Sequence, residues 1–522
     1  MTSTPADDRS PRFEAPPSEP AFGADGPTTS VDAGRDPSRV AAAPGRDRPL
    51  PADDFPHRAM AGVTPFAEAA EGPHGGLTSV RYQTFIYARP HKAAPHVLGY
   101  VRVGQRVALQ AADKVEGIGC RGGFYVIAPR GFVCDDATVT REVRTPFLDA
   151  NRHTLPRDTP FPYAWAISNG APMYARLPSA AEQQRFERRY GPVGTWHPLP
   201  KASRGHEHLA TTEPVAPSDA LPDFLVGGRS ARGRPLALVR KSVPHGTLFA
   251  FTRAFDHGGR TFLLSADLTV VPADRVRRFV PSAFHGVVLD DPALPRAWFR
   301  KRDRPRFRRR DDGRFEPADP AFPVRTQVGI TGREAQSERD GTRYLETEGG
   351  DWVAADDATV VTARDALPFG IAPGDKWILV SLSAGTLVAY EGLRPVFTTL
   401  VSPGRGGIPV RGRDPIADAT TPLGTYRITA KDRAATMSSQ FGGGRNMWIA
   451  DVPFTQYFHA PFALHGAYWH ERFGEPMSAG CINVSPLDAA WLFGWTGPEV
   501  PAGWHAVVSR AGTSATWVVV TR

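Results

Sequence analysis

Cysteine is scarce in this chain: three residues in 522, at positions 120, 134 and 481. Cys120 and Cys134 lie in one small segment, and Cys481 stands alone. In an oxidising compartment this pattern reads as one disulfide, Cys120–Cys134, plus an odd and reactive thiol; the alternative for the first two is a pair of buried structural thiols. Long apolar runs are missing as well. No stretch approaches the roughly 20 apolar residues of a membrane span, so no transmembrane segment is expected. The first residues lack a basic stretch followed by an apolar core, so no secretory signal is visible there. Acidic excess is absent too: the formal net charge is +8, which suits an anionic partner, although no motif selects nucleic acid. What is plentiful points to a folded, turn-rich protein. Hydrophobic residues make up 41%, and the 51 glycines and 51 prolines favour short strands over long helices. A chain of this length exceeds one core, and roughly three or four domains are expected.

Taken in order, residues 1–76 are rich in Pro, Ala, Asp, Gly and Arg without a hydrophobic period, the composition of a disordered tether. Residues 77–145 change character. Short β-prone runs at 84–88, 98–101, 106–109, 123–126 and 131–134 are punctuated by Gly and Pro at intervals of about ten. This segment resembles a small bacterial SH3-like barrel, with Cys120 and Cys134 bracketing its last hairpin. The run 132–139 recurs at 352–360, and more faintly at 263–270, which suggests two or three related β modules. The Asp pairs inside these runs read as turn residues at strand ends. Residues 146–300 are expected to form a mixed region with a second β module, and residues 301–368 a third. One helix stands out, with a capping box at Ser179 and Glu182 and a stop at Gly191. A basic run over 300–314 reads either as an anion contact or as a solvated loop. From residue 374 four strand signals follow in quick succession, at 376–382, 386–390, 395–401 and 424–429. The Gly-rich stretches 404–407 and 442–444 lack the strand–loop–helix setting of a phosphate loop and read as flaps.

The chemistry concentrates in residues 463–495. His465 is followed sixteen residues later by Cys481, seated in Ser478, Ala479, Gly480, Cys481, Ile482 and Asn483. A thiol attacks as thiolate, and a nearby histidine is the usual means of forming one at neutral pH. The small residues before the thiol leave the backbone N–H groups of Ala479, Gly480 and Cys481 available for an oxyanion. Ser485, Pro486 and Asp488 then read as an N-cap, a proline at the first helical position and an acidic first turn. Tyr468, Trp469 and Trp448 are candidates to wall the site, and His459 and His470 are weaker ones. Cys481 with His459, His465 and His470 does not reproduce a zinc-ligand spacing, so no metal and no cofactor are expected.

This stretch resembles the catalytic core of the L,D-transpeptidases of YkuD type: a histidine, a spacer of this length, then Ser-His-Gly-Cys followed by an apolar residue and Arg or Asn. Ser478, Gly480, Cys481, Ile482 and Asn483 match, whereas Ala479 replaces the usual second histidine. The resemblance covers roughly residues 374–511. It implies a mainly β, multidomain protein in which SH3-like modules precede a β-sandwich-like catalytic domain with a short helix after the catalytic cysteine. It implies Cys481 as nucleophile, His465 as proton donor and acceptor, and the Gly466 carbonyl as the group orienting His465. Asn483 would line the cleft, with Ser478, Tyr468 and Trp469 also placed toward substrate. The implied substrates are peptidoglycan stem peptides: Cys481 acylates on the third stem residue with loss of D-alanine, and a neighbouring amine resolves the acyl-enzyme into a 3→3 cross-link. Carbapenem-type β-lactams would acylate the same thiol, and the implied location is the cell envelope or periplasm. The alternatives are an L,D-carboxypeptidase or protein-to-wall anchoring enzyme of the same fold, or a non-catalytic peptidoglycan-binding scaffold.

Overall fold

The computed structural model describes residues 71–142, 161, 163–199, 207–218, 220–222, 225, 238–266, 268–289, 294–438 and 448–522. The expected tether, up to residue 70, and the Gly-rich stretch 442–444 lie outside the described residues. The fold is mainly β, as short runs between glycines and prolines dictate, with strands in several sheets and few helices. No helix among the described residues is long and apolar enough to cross a membrane.

Three small strand clusters come first. In the first, Gly76–Ser79 pairs with Arg106–Ala108 and Val139–Thr140, while Thr84–Tyr87 pairs with Val97–Val101 and Phe132–Cys134. Cys120 and Cys134 are joined across it, their Cα atoms 5.8 Å apart. The second is built on Ala164–Ser168, Ala171–Tyr174, Leu248–His257, Arg260–Ser265 and Val270–Pro272. The capping box at Ser179 is present and starts the helix Ala180–Glu187. The third runs from Arg296–Trp298 to Thr359–Val361. Here the basic run forms a hairpin, Arg304–Arg309 with Phe315–Phe322, and four of its arginines are matched locally: Arg304 with Asp357 (2.5 Å), Arg306 with Asp351 (2.9 Å), Arg310 with Glu316 and Arg314 with Asp312 (both 2.6 Å).

The run 352–360 has a structural counterpart in the second cluster, not at 132–139, where no 3₁₀ turn links Phe132–Cys134 to Val139–Thr140. Trp352–Ala354 leads through a single 3₁₀ turn, Ala355–Asp357, into Thr359–Val361. The same strand–turn–strand unit is built by Val270–Pro272, Ala273–Arg275 and Val276–Arg278. Its 3₁₀ turn is entered at matching dihedrals, φ −62° and ψ 127° against φ −62° and ψ 132°. The counterpart in the second cluster therefore begins at Val270, where the faint sequence echo at 263–270 ends.

The C-terminal unit carries two sheets. The first holds β1 (Lys376–Ser381), β2 (Thr386–Glu391), β3 (Arg394–Leu400) and β4 (Gly424–Arg427). The second holds β5 (Ala430–Ser438), β6 (Trp448–His459), β7 (Phe462–Gly466) and β8 (Ile482–Val484). The helix α1 (Pro486–Trp495) follows, then β9 (Ala506–Val508) in the second sheet and β10 (Trp517–Thr521) in the first. β10 lies between β1 and β4, parallel to one and antiparallel to the other. Sequence reasoning closed the sheet with residues 504–508 and did not assign this strand, although its Trp-Val-Val-Val run has the continuous apolar character of a strand covered on both faces. Upstream segments extend both sheets: Val287–Val288 adds to β3, and Gly99 and Tyr100 pair with β9.

Candidate active site

β7 and β8 are neighbouring parallel strands in which Leu464 pairs with Ile482, His465 with Asn483 and Gly466 with Val484. Paired residues in a parallel sheet face the same way, and successive residues alternate. Leu464, Ile482 and Val484 point into the main hydrophobic core. His465, Asn483 and the preceding Cys481 therefore share the opposite face, where Cys481 packs with Ala463 and Tyr457. Strand spacings put the Cα atoms of His465 and Cys481 roughly 8 Å apart along the diagonal, within reach of two side chains.

The cysteine loop is held from both sides. Ser478 Oγ donates to the Cys481 carbonyl (2.5 Å) and accepts the Gly480 N–H (3.0 Å). Of the three backbone amides expected to face an oxyanion, that of Gly480 is thus already engaged. Gly480 itself sits at φ +136°, and a Cβ there would lie 2.5 Å from Phe462 Cε1, so only glycine fits. The loop after β3 supplies the outer brace: Ser402 exchanges both backbone hydrogen bonds with Asn483, the Pro403 carbonyl accepts from Met477 and Ser478, and Arg405 N–H donates to Ser478. Thr421 Oγ1 accepts from Gly404 N–H (2.9 Å) and donates to the Gly480 carbonyl (2.8 Å). Sequence reasoning missed Ser402, Pro403 and Thr421 as site residues; their spacing from Cys481 leaves no local signal.

His465 is 1% exposed. Its Nδ1 lies 3.3 Å from the Gly466 carbonyl, so Nδ1–H is the donor, and Nε2 is buried with no hydrogen-bond partner among the described residues. Burial pushes the imidazole down to about 4, against the opposing effect of the Gly466 hydrogen bond. The ring is therefore neutral at pH 7, with the Nε2 lone pair available as a base. Gly466 serves a second purpose: a Cβ there would meet Pro453 at 3.0 Å and Ala489 at 3.2 Å, so its bareness lets α1 lie against β7. α1 starts as expected, Ser485 Oγ accepting the Asp488 N–H (3.1 Å) with Pro486 in the first turn. Cys481 is 3% exposed and lies outside the disulfide.

The aromatic candidates separate. Trp469 lies 5.9 Å from the His465 ring and 6.3 Å from that of His470. Tyr468 points the other way: it stacks on Trp165 at 4.5 Å, donates to the Ala450 carbonyl and is fully buried. It joins this unit to the second cluster instead of walling a cleft. His459 is exposed and stacks on Tyr426 at 5.0 Å. His470 is buried beside Asn483. The Trp448 side chain lies outside the described residues.

Residues 375–520 match the YkuD family model, described as the L,D-transpeptidase catalytic domain. None of the curated proteins matches this chain. Similar solved structures include an L,D-transpeptidase from Xylanimonas cellulosilytica, 25% identical over 30% of this chain and 65% of that one, with a TM-score of 0.20. Another is an L,D-transpeptidase from Stackebrandtia nassauensis, 21% identical over 31% of this chain and 58% of that one, with a TM-score of 0.20. A third is L,D-transpeptidase 3 from Mycobacterium tuberculosis in complex with a faropenem-derived adduct, 16% identical over 40% of this chain and 72% of that one, with a TM-score of 0.21. The chain thus spans 65% and 58% of the length of the first two.

Proposed function

We propose that the C-terminal unit is a cysteine acyltransferase acting on peptidoglycan stem peptides, an L,D-transpeptidase that forms 3→3 cross-links. The observation that carries this reading is the unpartnered, buried Nε2 of His465 on the same sheet face as Cys481, inside residues that match the catalytic-domain family model. His465, held by its Nδ1–H on the Gly466 carbonyl, takes the Cys481 proton at Nε2. The thiolate attacks the carbonyl of the third stem residue at its L-centre. The oxyanion is met by the backbone amides of Ala479 and Cys481, because the Gly480 amide is occupied by Ser478. Backbone donors make the alanine at 479 compatible with catalysis. As the amide C–N bond breaks, the imidazolium returns its proton to the departing D-alanine and leaves a thioester. The amine of a neighbouring stem then attacks, its proton passes to His465, and thiolate departs.

Incubation with a disaccharide-tetrapeptide tests this reading. Release of D-alanine and a dimeric product are expected, both lost in Cys481→Ala; a hydrolysed tripeptide as sole product would reassign the acceptor to water. A carbapenem is expected to add its mass to wild type but not to Cys481→Ala, and absence of both adduct and D-alanine release would sink the assignment. The upstream strand clusters are read as SH3-like modules that hold the enzyme on the wall. Cosedimentation of the full Cys481→Ala chain with sacculi checks this, and complete recovery in the supernatant would refute it.

A further inference from the structure

His470 lies five residues beyond His465 and is 1% exposed. Its Nδ1 accepts the backbone N–H of Arg472 at 3.2 Å. In a neutral imidazole one nitrogen accepts and the other carries the proton, so the His470 proton is on Nε2. That nitrogen lies 3.1 Å from the Asn483 carboxamide, on the side of Nδ2. Two donors cannot face each other. A half-turn of the amide exchanges its near-isosteric oxygen and nitrogen, and it is the oxygen that belongs on His470 Nε2–H. The NH2 group then occupies the buried position of Oδ1, which has no hydrogen-bond partner among the described residues.

The rest of Asn483 is immobilised. Its backbone N–H and carbonyl both bond to Ser402, at 2.9 and 2.8 Å, and its β8 position faces His465 across the strand pair. Two buried polar groups without hydrogen-bond partners among the described residues thus sit side by side on the face that carries Cys481: a lone pair on His465 Nε2 and an amide NH2 on Asn483. The first suits the thiol proton. The second requires an acceptor oxygen.

We propose that His470 is a positioning residue, holding the Asn483 carboxamide by its oxygen so that the NH2 group is presented to a carbonyl or carboxylate oxygen of the donor peptide bound at Cys481. This rests on the transpeptidase reading above. Without His470 the amide turns, and the orientation that offers its oxygen repels the substrate oxygen instead of binding it.

The rate of carbapenem and tetrapeptide acylation, read by intact mass, is the first test. His470→Phe, which keeps a buried ring but no donor, is expected to slow acylation at least tenfold. His470→Gln, whose amide donates again, should restore most of the rate. In the background of Asn483→Ala, His470→Phe should add less than about a twofold further loss, because its effect runs through Asn483. Wild-type rates in His470→Phe, or losses that multiply in the double variant, would overturn the proposal. A readout independent of turnover is the His470 tautomer, from long-range ¹⁵N–¹H correlations of the wild-type chain. The Nε2–H form is expected; the Nδ1–H form in an otherwise acylable protein overturns this role alone, and also decides the matter if His470→Phe does not fold. A wild-type chain that takes no adduct overturns the transpeptidase reading and this role with it.

Discussion

At the scale of single residues, His465, the proposed base, would link acylation to acid stability. Its imidazole is held at about 4 when folded, against an ordinary value of 6.5. Between those values the unfolded chain binds more protons than the folded one, so stability falls as pH drops from 6.5 to 4 and levels off below. The full difference corresponds to about 3 kcal/mol. For the reaction, the acid limb of carbapenem acylation should lie near pH 4, with the neutral imidazole still acting as base at pH 5. A limb at 6.5 would show that the base is solvated. Gly480→Ala places a Cβ against Phe462 at a φ of +136° and should cost about 1–3 kcal/mol. Acylation should fall with it, as the backbone amides around Cys481 move; thermal melting with adduct mass on the same sample checks both. Cys481 and His465 could be picked out of the sequence as candidates because thiol chemistry needs a base and small neighbours, and the structure puts the two on one face of neighbouring strands. Tyr468 could not be placed this way: its direction is set by stacking on Trp165, roughly 300 residues away in sequence, which no local pattern announces.

At the scale of elements, α1 is tied to the strand segment before the third cluster by one buried carboxylate. Asp488 accepts the Gly286 N–H (2.7 Å) and the Thr399 hydroxyl (2.6 Å), and burial raises it to about 6. The sign here opposes that of His465. The folded state binds the extra proton between about 4 and 6, so stability from this group rises as pH falls through that window. The two contributions oppose each other in wild type. Asp488→Asn keeps an acceptor for Gly286 and abolishes the titration, so the variant should lose stability more steeply than wild type between pH 6 and 4. Denaturant midpoints across that range measure it, and parallel curves would refute the assignment. The capping residues of α1 were readable because they act within one turn. The brace of Ser402 and Thr421 was not: Ser402 pairs through its backbone, which requires no residue type, and Thr421 acts through a hydroxyl 59 positions from Gly480.

At the scale of the whole molecule, the clusters are not beads on a string. One contiguous hydrophobic core takes in Leu77, Trp165, Trp377 and Tyr468, and the first cluster is also fixed by a buried ion pair, Arg102 with Asp451, whose side chains are 4% and 5% exposed. Arg102→Met leaves Asp451 as an unpaired buried charge, which should cost about 3–5 kcal/mol. Because Asp451 lies on β6 next to the Ala450 carbonyl that Tyr468 bonds, acylation should decline along with the melting temperature. A variant with unchanged melting would mean that the first cluster docks without this pair. Turn residues in the sequence mark the ends of strand-rich segments. The sequence could not reveal that these segments share a core, because partners that close a sheet from far away carry no period.

β10 has a consequence for biosynthesis. β1 finds one of its two sheet partners only when residues 517–521 have left the ribosome, after both His465 and Cys481 have been translated. On a growing chain β1 and β4 stay unbridged until then, while the upstream clusters are already free to fold. Completion of the first sheet therefore follows synthesis of the candidate thiol, and the two sheets of the unit are closed in order.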